Sequence, residues 1–174
     1  MEKAIARTKA LELRKKEDNI KASNEVLEAI IKSKCLEKYN KRGIYYPIGK
    51  EINITDLLTT YPNKEFYFPK TTDVLEFIKC DSISNLIPGP FKTKEPSGIA
   101  ASRDEIECFI IPCVAISFNK RRVGYGKGYY DKYLSGYKGY KIGVCYNSAY
   151  MDINTDEYDV KFDEIFLGWL AWTV

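Results

Sequence analysis

The order of apolar and polar residues divides the chain into alternating helices and strands. Residues 3–16 place apolar side chains among basic ones, which predicts a first helix. Ser23 is predicted to cap a second helix, whose apolar residues recur at i, i+1, i+4 and i+5, and Gly43 is predicted to end it. Thr55 is predicted to open a short helix that runs through Tyr61.

Runs of aromatic and β-branched residues predict the strands. They cover residues 44–48, 65–68, 75–79, 106–111, 140–146 and 165–172. The apolar run of 106–111 continues beyond Pro112, as expected of a central parallel strand. Residues 85–104 contain several prolines and predict a long loop, and a loop of that length is usually functional or mobile. A helix is predicted to start over 129–134, and 152–164 to form an acidic loop.

This interleaving of strands and helices predicts an α/β fold with a largely parallel β-sheet flanked by helices in three layers. A length of 174 residues suits a single domain spanning 1–174, and a hydrophobic content of 45% is enough for a core. Neither internal repeats nor a linker are visible.

Charge narrows the classes of function. The net charge is only +3, so composition gives no strong case for nucleic acid as a partner. Lysine and arginine crowd residues 3–42 and 120–141, and acidic residues crowd 152–164. Two cationic patches around a bound anion, or simply solvated faces, would explain this pattern. The longest apolar stretch is broken by Pro112, so we expect no membrane span.

The chain has no histidine, which excludes Ser-His-Asp and Cys-His mechanisms. Its five cysteines form no CxxC pair, and Cys108, Cys113 and Cys145 lie in apolar runs. We therefore predict buried free thiols in a reducing compartment and a cytoplasmic protein.

The most informative stretch is residues 121–131, Arg-Arg-Val-Gly-Tyr-Gly-Lys-Gly-Tyr-Tyr-Asp, which we call the glycine segment. Alternating glycines can present backbone N–H groups to an anion that neighbouring cations surround. The segment follows an apolar strand and precedes a helix, which favours a nucleotide phosphate site. It matches neither a Walker A loop nor GxGxxG, and a glycine-rich hairpin without a ligand is the plain alternative.

RNA binding is a second alternative. Residues 122–129 partly resemble the RNP1 strand of an RNA-recognition module, whose aromatic side chains stack on bases. However, Lys127 and Gly128 lie where that strand needs apolar residues, and the partner strand would have to be Phe109–Ile111, too near in sequence.

Several motifs resemble the 5-formyltetrahydrofolate cyclo-ligase family, also called methenyltetrahydrofolate synthetases. The strand end 110–115, followed by residues 122–131, is similar to the family's P-x-hydrophobic-A and R-L-G-x-G-x-G-[FY]-Y-D patterns. Shorter similarities lie at Lys3–Arg7, Lys50–Ile52, Phe68–Lys70, Glu95–Pro96 and Asp159–Asp163. Ala6 and Val123 stand where the family has leucine.

The resemblance implies ATP-dependent closure of 5-formyltetrahydrofolate to 5,10-methenyltetrahydrofolate with Mg²⁺, and the substrates ATP and folate as partners. The implied ATP-binding residues are Lys3, Arg7, Arg122, Val123, Gly124, Tyr125, Gly126, Lys127, Gly128, Tyr129 and Tyr130. The implied folate-binding residues are Arg7, Tyr46, Glu51, Tyr125, Gly126, Lys127, Gly128 and Tyr129, with Phe91 nearby. Asp131 and Asp159 would hold the metal, and Arg122 and Lys127 would be the catalytic cations.

Both nucleophiles of such a reaction belong to the substrate, which suits a chain without histidine. Each residue also has a plainer role: Asp131 as a helix cap, Glu51 as a strand end, Lys3 and Arg7 as solvated cations. A neighbour in the acidic loop could replace Asp159 as metal ligand. An ATP-binding protein of this fold without folate activity is the remaining alternative. We expect a monomer or a homodimer, with neither nucleic acid nor membrane as partner.

Overall fold

A six-stranded sheet forms the centre of a computed structural model that describes residues 1–168 and, at Phe91, only the backbone. In chain order the elements are α1 (Lys3–Arg14), α2 (Asn19–Ser33), β1 (Lys41–Gly43), α3 (Leu57–Thr60), β2 (Glu65–Thr71), β3 (Leu75–Lys79), β4 (Ile87–Pro88), β5 (Lys94–Glu95), β6 (Cys108–Pro112), β7 (Ala115–Ser117), β8 (Arg122–Val123), α4 (Tyr129–Tyr133), β9 (Tyr140–Tyr146), β10 (Tyr150–Met151) and β11 (Glu164–Gly168).

The sheet has the strand order β11-β9-β6-β1-β2-β3. All of its neighbouring strands are parallel except β2 and β3, which form an antiparallel hairpin at one edge. The prediction of an α/β fold with a largely parallel sheet is confirmed, and so is the central position of the strand that contains residues 108–111.

The two faces of the sheet bury separate cores. Along β6, Phe109 and Ile111 pack with residues of α1 and with side chains around α4, whereas Cys108 and Ile110 pack with α2 and α3. This alternation is the period of two that a strand buried on both faces requires. Helices therefore lie on both sides of the sheet, as the three-layer prediction stated.

The predicted limits of the second helix are wrong. Asp18, not Ser23, caps α2: its carboxylate accepts a hydrogen bond from the amide of Lys21 at 3.1 Å. Ser23 lies inside the helix and accepts a hydrogen bond from the amide of Asn53. The helix ends at Ser33, and the left-handed residue after it is Lys34, not Gly43.

The strand predicted over 44–48 lies earlier, at Lys41–Gly43. Its sequence, Lys-Arg-Gly, has no hydrophobic pattern from which a buried strand could be predicted. Arg42 is nevertheless fully buried, because contacts other than an ion pair stabilise its charge. The Arg42 guanidinium donates to the carbonyl oxygens of Leu36 and Tyr39 at 2.6 and 2.9 Å and lies 4.3 Å from the centre of the Tyr61 ring. Carbonyl oxygens and an aromatic face thus replace the carboxylate that a buried cation usually needs.

The apolar run beyond Pro112 does not continue the central strand. β6 ends at Pro112, and β7 pairs with β8 and β10 in a separate three-stranded sheet. Hydrophobicity could not mark the break, because both sheets bury the chain completely between Cys108 and Ser117.

The predicted long loop over residues 85–104 carries the short hairpin β4–β5 and turns of 3₁₀ helix. Glu95 is buried, and its carboxylate accepts a hydrogen bond from the amide of Thr71 at 2.9 Å. Further on, the amide of Ala101 donates to the carbonyl of Phe77 at 2.8 Å, and Ala100 forms a β-bridge with Ile78. The loop therefore also covers the outer edge of β3.

The remaining predictions agree in part. The short helix predicted from Thr55 through Tyr61 is found as α3, but it is shorter, Leu57–Thr60, and Asp56 rather than Thr55 precedes its first turn. The last strand begins at Glu164, and its predicted part over 169–172 lies outside the described residues. Cys108, Cys113 and Cys145 are buried free thiols, and burial raises the pKa of each. No helix within residues 1–168 is long and apolar enough to cross a bilayer.

Gly43 tests the packing between β1 and β6. A β-carbon there would overlap the ring of Phe109, which also packs edge-to-face on Phe77 and Tyr137. We expect Gly43→Ala to lower the free energy of unfolding by about 1–3 kcal/mol, measured by urea denaturation. The double variant Gly43→Ala/Phe109→Leu should lose less stability than the sum of the losses of the two single variants, because the shorter side chain makes room for the added methyl group. Fully additive losses would contradict this packing.

Candidate active site

A cavity of about 380 Å³ opens at the carboxyl ends of three parallel strands. Tyr45 and Tyr46 follow β1, Pro69 and Thr71 end β2, and Pro112 ends β6. The chain leaves β1 through α3 on one face of the sheet and leaves β6 through α4 on the other. In open α/β sheets, ligands bind in the crevice where neighbouring connections diverge in this way.

Two irregular segments close the cavity. The long loop predicted over residues 85–104 contributes Pro90, Thr93, Lys94 and Glu95 to the wall. The glycine segment contributes Arg122, Tyr125, Lys127, Gly128, Tyr129 and Tyr130, and the turn after β1 adds Ile48 and Glu51. The loop and the glycine segment therefore line one common space.

Glycine is required in the glycine segment for physical reasons. Gly126 and Gly128 have φ angles of +100° and +70°, where residues with a side chain are strained. A β-carbon at Gly124 would overlap the guanidinium of Arg122. Within residues 1–168 the amides of Gly126 and Gly128 donate no hydrogen bond, so both remain available to an acceptor.

Arg122 is a buried cation beside the cavity. Its Nε donates to the carbonyl oxygen of Pro112 at 2.8 Å, and its guanidinium lies 4.5 Å from the centre of the Tyr130 ring. Only 8% of the residue is exposed, and it makes no ion pair with any described carboxylate. A buried charge without a counter-ion is costly, so the site favours a ligand that brings negative charge.

Arg7 holds the glycine segment against α1. Its Nε donates to the carbonyl oxygen of Gly124 at 2.6 Å, and its guanidinium carbon would lie 3.4 Å from a β-carbon at Gly126. Arg7 is not part of the cavity wall. It lies behind the segment and fixes the backbone whose amides would face a ligand.

Glu51 is one of two buried carboxylates in the cavity wall, with 5% of its surface exposed; the other is Glu95, which holds the Thr71 amide. It accepts hydrogen bonds from the amide of Ile48 at 2.8 Å and from the hydroxyl of Tyr125 at 3.3 Å. Burial raises the pKa of Glu51, and these hydrogen bonds and the charges of Arg14 and Arg122 offset only part of the rise.

An ionic cluster joins α1 to the acidic loop. Lys3 Nζ lies 3.0 Å from Asp159 and 3.1 Å from Asp156. Burial lowers the pKa of Lys3, but the two carboxylates outweigh it and the net pKa is raised. Asp131 accepts a hydrogen bond from the amide of Val160 at 3.0 Å, so its carboxylate lies beside the same loop. The cations of the first helix thus meet both the acidic loop and the glycine segment.

The structure divides the predicted site residues into two groups. Tyr46, Glu51, Arg122, Tyr125, Lys127, Gly128, Tyr129 and Tyr130 line the cavity. Lys3, Arg7, Val123, Gly124, Gly126, Asp131 and Asp159 lie outside its wall. Val123 is 1% exposed and packs in the core, so it can offer a ligand only its backbone. The side chain of Phe91 lies outside the described part of the structure.

Sequence reasoning missed several residues of the site. Arg14 donates a hydrogen bond to the Tyr125 hydroxyl at 2.9 Å. The sequence could have indicated it, since Arg14 lies two helical turns after Arg7 on the same face of α1. Glu95 and Pro69 belong to motifs noted above, but their place in the cavity wall depends on tertiary contacts.

The geometry does not favour an RNP1-like surface. The strand β8 ends at Val123, so the aromatic residues at 125 and 129 do not alternate along a strand as base-stacking residues of that module must. They lie instead in the loop and at the start of α4, facing the cavity.

Comparison with known proteins agrees with these motifs. The sequence model of the 5-formyltetrahydrofolate cyclo-ligase family matches residues 3–168. The chain is 33% identical to 5-formyltetrahydrofolate cyclo-ligase of Mycoplasma genitalium over 119 residues, which cover 61% of this chain and 72% of the relative. It is 31% identical to the Mycoplasma pneumoniae protein of that name over 128 residues, with coverage of 71% and 70%. The NMR structure of Aquifex aeolicus 5,10-methenyltetrahydrofolate synthetase superposes with a TM-score of 0.83 at 28% identity, covering 95% and 89% of the two chains.

The buried Glu51 predicts a dependence of stability on pH. The unfolded chain ionises this carboxyl near pH 4.5, whereas the folded chain does so at higher pH, so the folded state loses stability as pH rises through that window and does not regain it above. Glu51→Gln keeps an acceptor for the Ile48 amide and removes the charge. We expect the free energy of unfolding of the variant to exceed that of the parent at pH 7, by about 1.4 kcal/mol for each unit of pKa shift, and to equal it near pH 4.

Urea denaturation at the two pH values measures this difference. Glu28→Gln is the control, because Glu28 is exposed on α2 and should show no such change between pH 4 and pH 7. A Glu51→Gln variant that is no more stable than the parent at pH 7 would contradict the cost assigned to the buried charge.

Proposed function

Because the chain belongs to the 5-formyltetrahydrofolate cyclo-ligase family, we propose that it converts 5-formyltetrahydrofolate to 5,10-methenyltetrahydrofolate while cleaving ATP to ADP and phosphate. The observation that carries this proposal is the common cavity. A buried carboxylate, Glu51, and a buried guanidinium that pairs with no described carboxylate, Arg122, line the same space together with residues of the glycine segment. One group suits a nitrogen-rich ring with N–H donors, and the other suits a phosphate.

The pterin ring is assigned to the side of the cavity near Glu51. An ionised carboxylate accepts two parallel hydrogen bonds from neighbouring N–H groups, which the pterin ring presents. Tyr46 and Tyr129 supply aromatic surface to the same wall, and a volume of about 380 Å³ suits a ring of this size.

The phosphates of ATP are assigned to the glycine segment. Arg122, Lys127 and Gly128 line one side of the cavity, and Gly126 lies just outside the wall, between the wall residues Tyr125 and Lys127. Arg7 supports this backbone from behind, and Lys3 contributes a further positive charge from α1. Phosphoryl transfer relies mainly on such positioning and charge stabilisation.

The acidic residues fit a shared magnesium site. Within residues 1–168 no three acidic or cysteine side chains are arranged to hold a metal by themselves. Mg²⁺ is commonly held by only one or two carboxylates, with water and substrate phosphates as the other ligands. Asp131 and Asp159 provide those oxygens, and Asp159 already binds the ammonium of Lys3 as a counter-cation. Bound there, the ion would neutralise charge on the phosphates.

The proposed reaction has two steps. The formyl oxygen of the substrate attacks the γ-phosphorus, ADP leaves, and an imidate-type phosphate forms. N10 of the folate then adds to the activated carbon and gives up its proton, the C–O bond breaks, and the phosphate leaves as hydrogen phosphate with the formyl oxygen and that proton. The side chains of Arg122 and Lys127 stabilise the charge on the phosphoryl oxygens, and one well-placed donor of this kind is worth roughly 10²–10³ in rate.

The thiols bear on the cellular compartment of the enzyme. Four of the five thiols are buried, which suits a reducing compartment, and we place the enzyme in the cytoplasm. Its substrates are small molecules, and we propose that it acts as a monomer or a homodimer on neither nucleic acid nor membranes.

An absorbance assay for the methenyl product tests the function. We expect product only when 5-formyltetrahydrofolate, ATP and Mg²⁺ are all present, with one ADP formed per product, and none with EDTA or a non-hydrolysable ATP analogue. Saturable ATP binding without product would point to a nucleotide-binding protein that lacks the folate activity. Steeply salt-dependent RNA binding without nucleotide binding would point to the RNA module.

Asp131→Asn separates metal binding from a structural role. Asparagine keeps an oxygen for the Val160 amide but removes the negative charge. We expect turnover to fall by roughly 10- to 100-fold, the range seen when groups that support a metal site are removed, and the Mg²⁺ concentration for half-maximal activity to rise.

Asp163→Asn is the matched control, since Asp163 also accepts from a backbone amide, that of Lys141 at 2.8 Å, but lies beside the start of β9, directly before β11. It should leave the Mg²⁺ titration unchanged. Parent-level turnover of Asp131→Asn at every Mg²⁺ concentration would assign Asp131 a purely structural role.

A further inference from the structure

Three side chains from distant parts of the chain form a line of hydrogen bonds into the cavity. Arg14 Nη2 donates to the Tyr125 hydroxyl at 2.9 Å, and that hydroxyl donates to Glu51 Oε2 at 3.3 Å. Arginine can only donate, and an ionised carboxylate can only accept. The hydroxyl between them therefore has one possible arrangement, in which it accepts from Arg14 and donates to Glu51.

Tyr125 needs support to hold this position. Its residue surface is 44% exposed, and it lies between Gly124 and Gly126, which leave the backbone free to move. Arg14 provides the support twice, through the hydrogen bond and through its guanidinium, whose carbon lies 5.8 Å from the ring centre. Arg14 is itself fixed on the last turn of α1.

The surroundings of Glu51 explain why the hydrogen bonds from Arg14 through Tyr125 affect its ionisation. The charged and titratable groups that face it are Arg14, Arg122, Tyr45, Tyr125, Tyr130 and Cys113. Of these groups the two arginines carry positive charge, and Lys94 and Lys127 also line the cavity. Burial opposes ionisation of the carboxyl, and Arg122 is already engaged with the Pro112 carbonyl and the Tyr130 ring. Arg14 is thus the cation that reaches Glu51 through a hydrogen-bond donor.

We propose that Arg14 is a positioning residue that acts through the Tyr125 hydroxyl to keep Glu51 ionised and oriented for the substrate's ring N–H groups. The identity of that ring rests on the proposed function, whereas the link from Arg14 to Glu51 does not. Tyr125 also belongs to the glycine segment, to which the phosphates are assigned, so one residue connects that segment to Glu51.

The protonation of Glu51 in the ligand-free protein gives a direct test. With ¹³C-labelled glutamate, the carboxyl signal of Glu51 is identified by its loss in Glu51→Gln and followed by NMR from pH 4 to pH 9. We expect Arg14→Gln to raise the pKa of Glu51 by about one unit, because it removes an opposite charge, and Arg14→Lys to raise it less. Tyr125→Phe should also raise this pKa, because it removes the hydrogen bond to the carboxylate. Lys16→Gln removes an exposed charge just beyond the same helix and should leave the pKa unchanged.

Binding of 5-formyltetrahydrofolate without ATP, measured by fluorescence at the same pH values, completes the test. Parent affinity should fall on the acid side, and Arg14→Gln should move that fall to higher pH by the same unit. The affinity should then drop about fivefold at the parent's midpoint and about tenfold well below it. An unchanged Glu51 pKa, or a loss of affinity equal at all pH values, would overturn the proposal. If the parent shows the NMR shifts but binds no folate, the proposed function fails and the link between Arg14 and Glu51 stands.

Discussion

A buried guanidinium at the end of the central strand sets the geometry of the cavity. Arg122 is held by the carbonyl of Pro112 and by the ring of Tyr130, and it leaves room only for glycine at position 124. It therefore joins the end of β6, the start of the glycine segment and the first turn of α4. Because no described carboxylate neutralises it, the contact that fixes the backbone also supplies the positive charge that a phosphate requires.

The three cations of α1 that lie near the cavity each bind a different kind of partner. Lys3 is paired with the acidic loop, Arg7 holds a backbone carbonyl, and Arg14 reaches a tyrosine hydroxyl. These three cations lie along one helix, yet each has a different partner. The arrangement explains why the first helix, which composition alone would describe as a solvated basic face, is tied to the glycine segment and the acidic loop.

The sequence predicted a largely parallel sheet and the central position of one strand, but not the order of the strands. Strands made of continuous apolar residues, such as β6 and β9, were found because burial on both faces leaves a clear pattern. β1 was misplaced because Arg42 and Gly43 look polar and flexible, while their burial depends on the Tyr61 ring and on Phe109 across the sheet. The glycine segment could be recognised locally, but the contact of Tyr125 with Arg14 and Glu51 joins residues that only the fold brings together.

The loop between β3 and β6 both closes the cavity and covers a strand edge. With Lys94 and Glu95 it closes the cavity, and with Ala100 and Ala101 it occupies the outer hydrogen-bonding edge of β3. Uncovered strand edges are templates for pairing with other chains. Displacing this loop would therefore do more than open the cavity: it would also expose a strand edge prone to self-association, which ties the solubility of the protein to the integrity of the cavity wall.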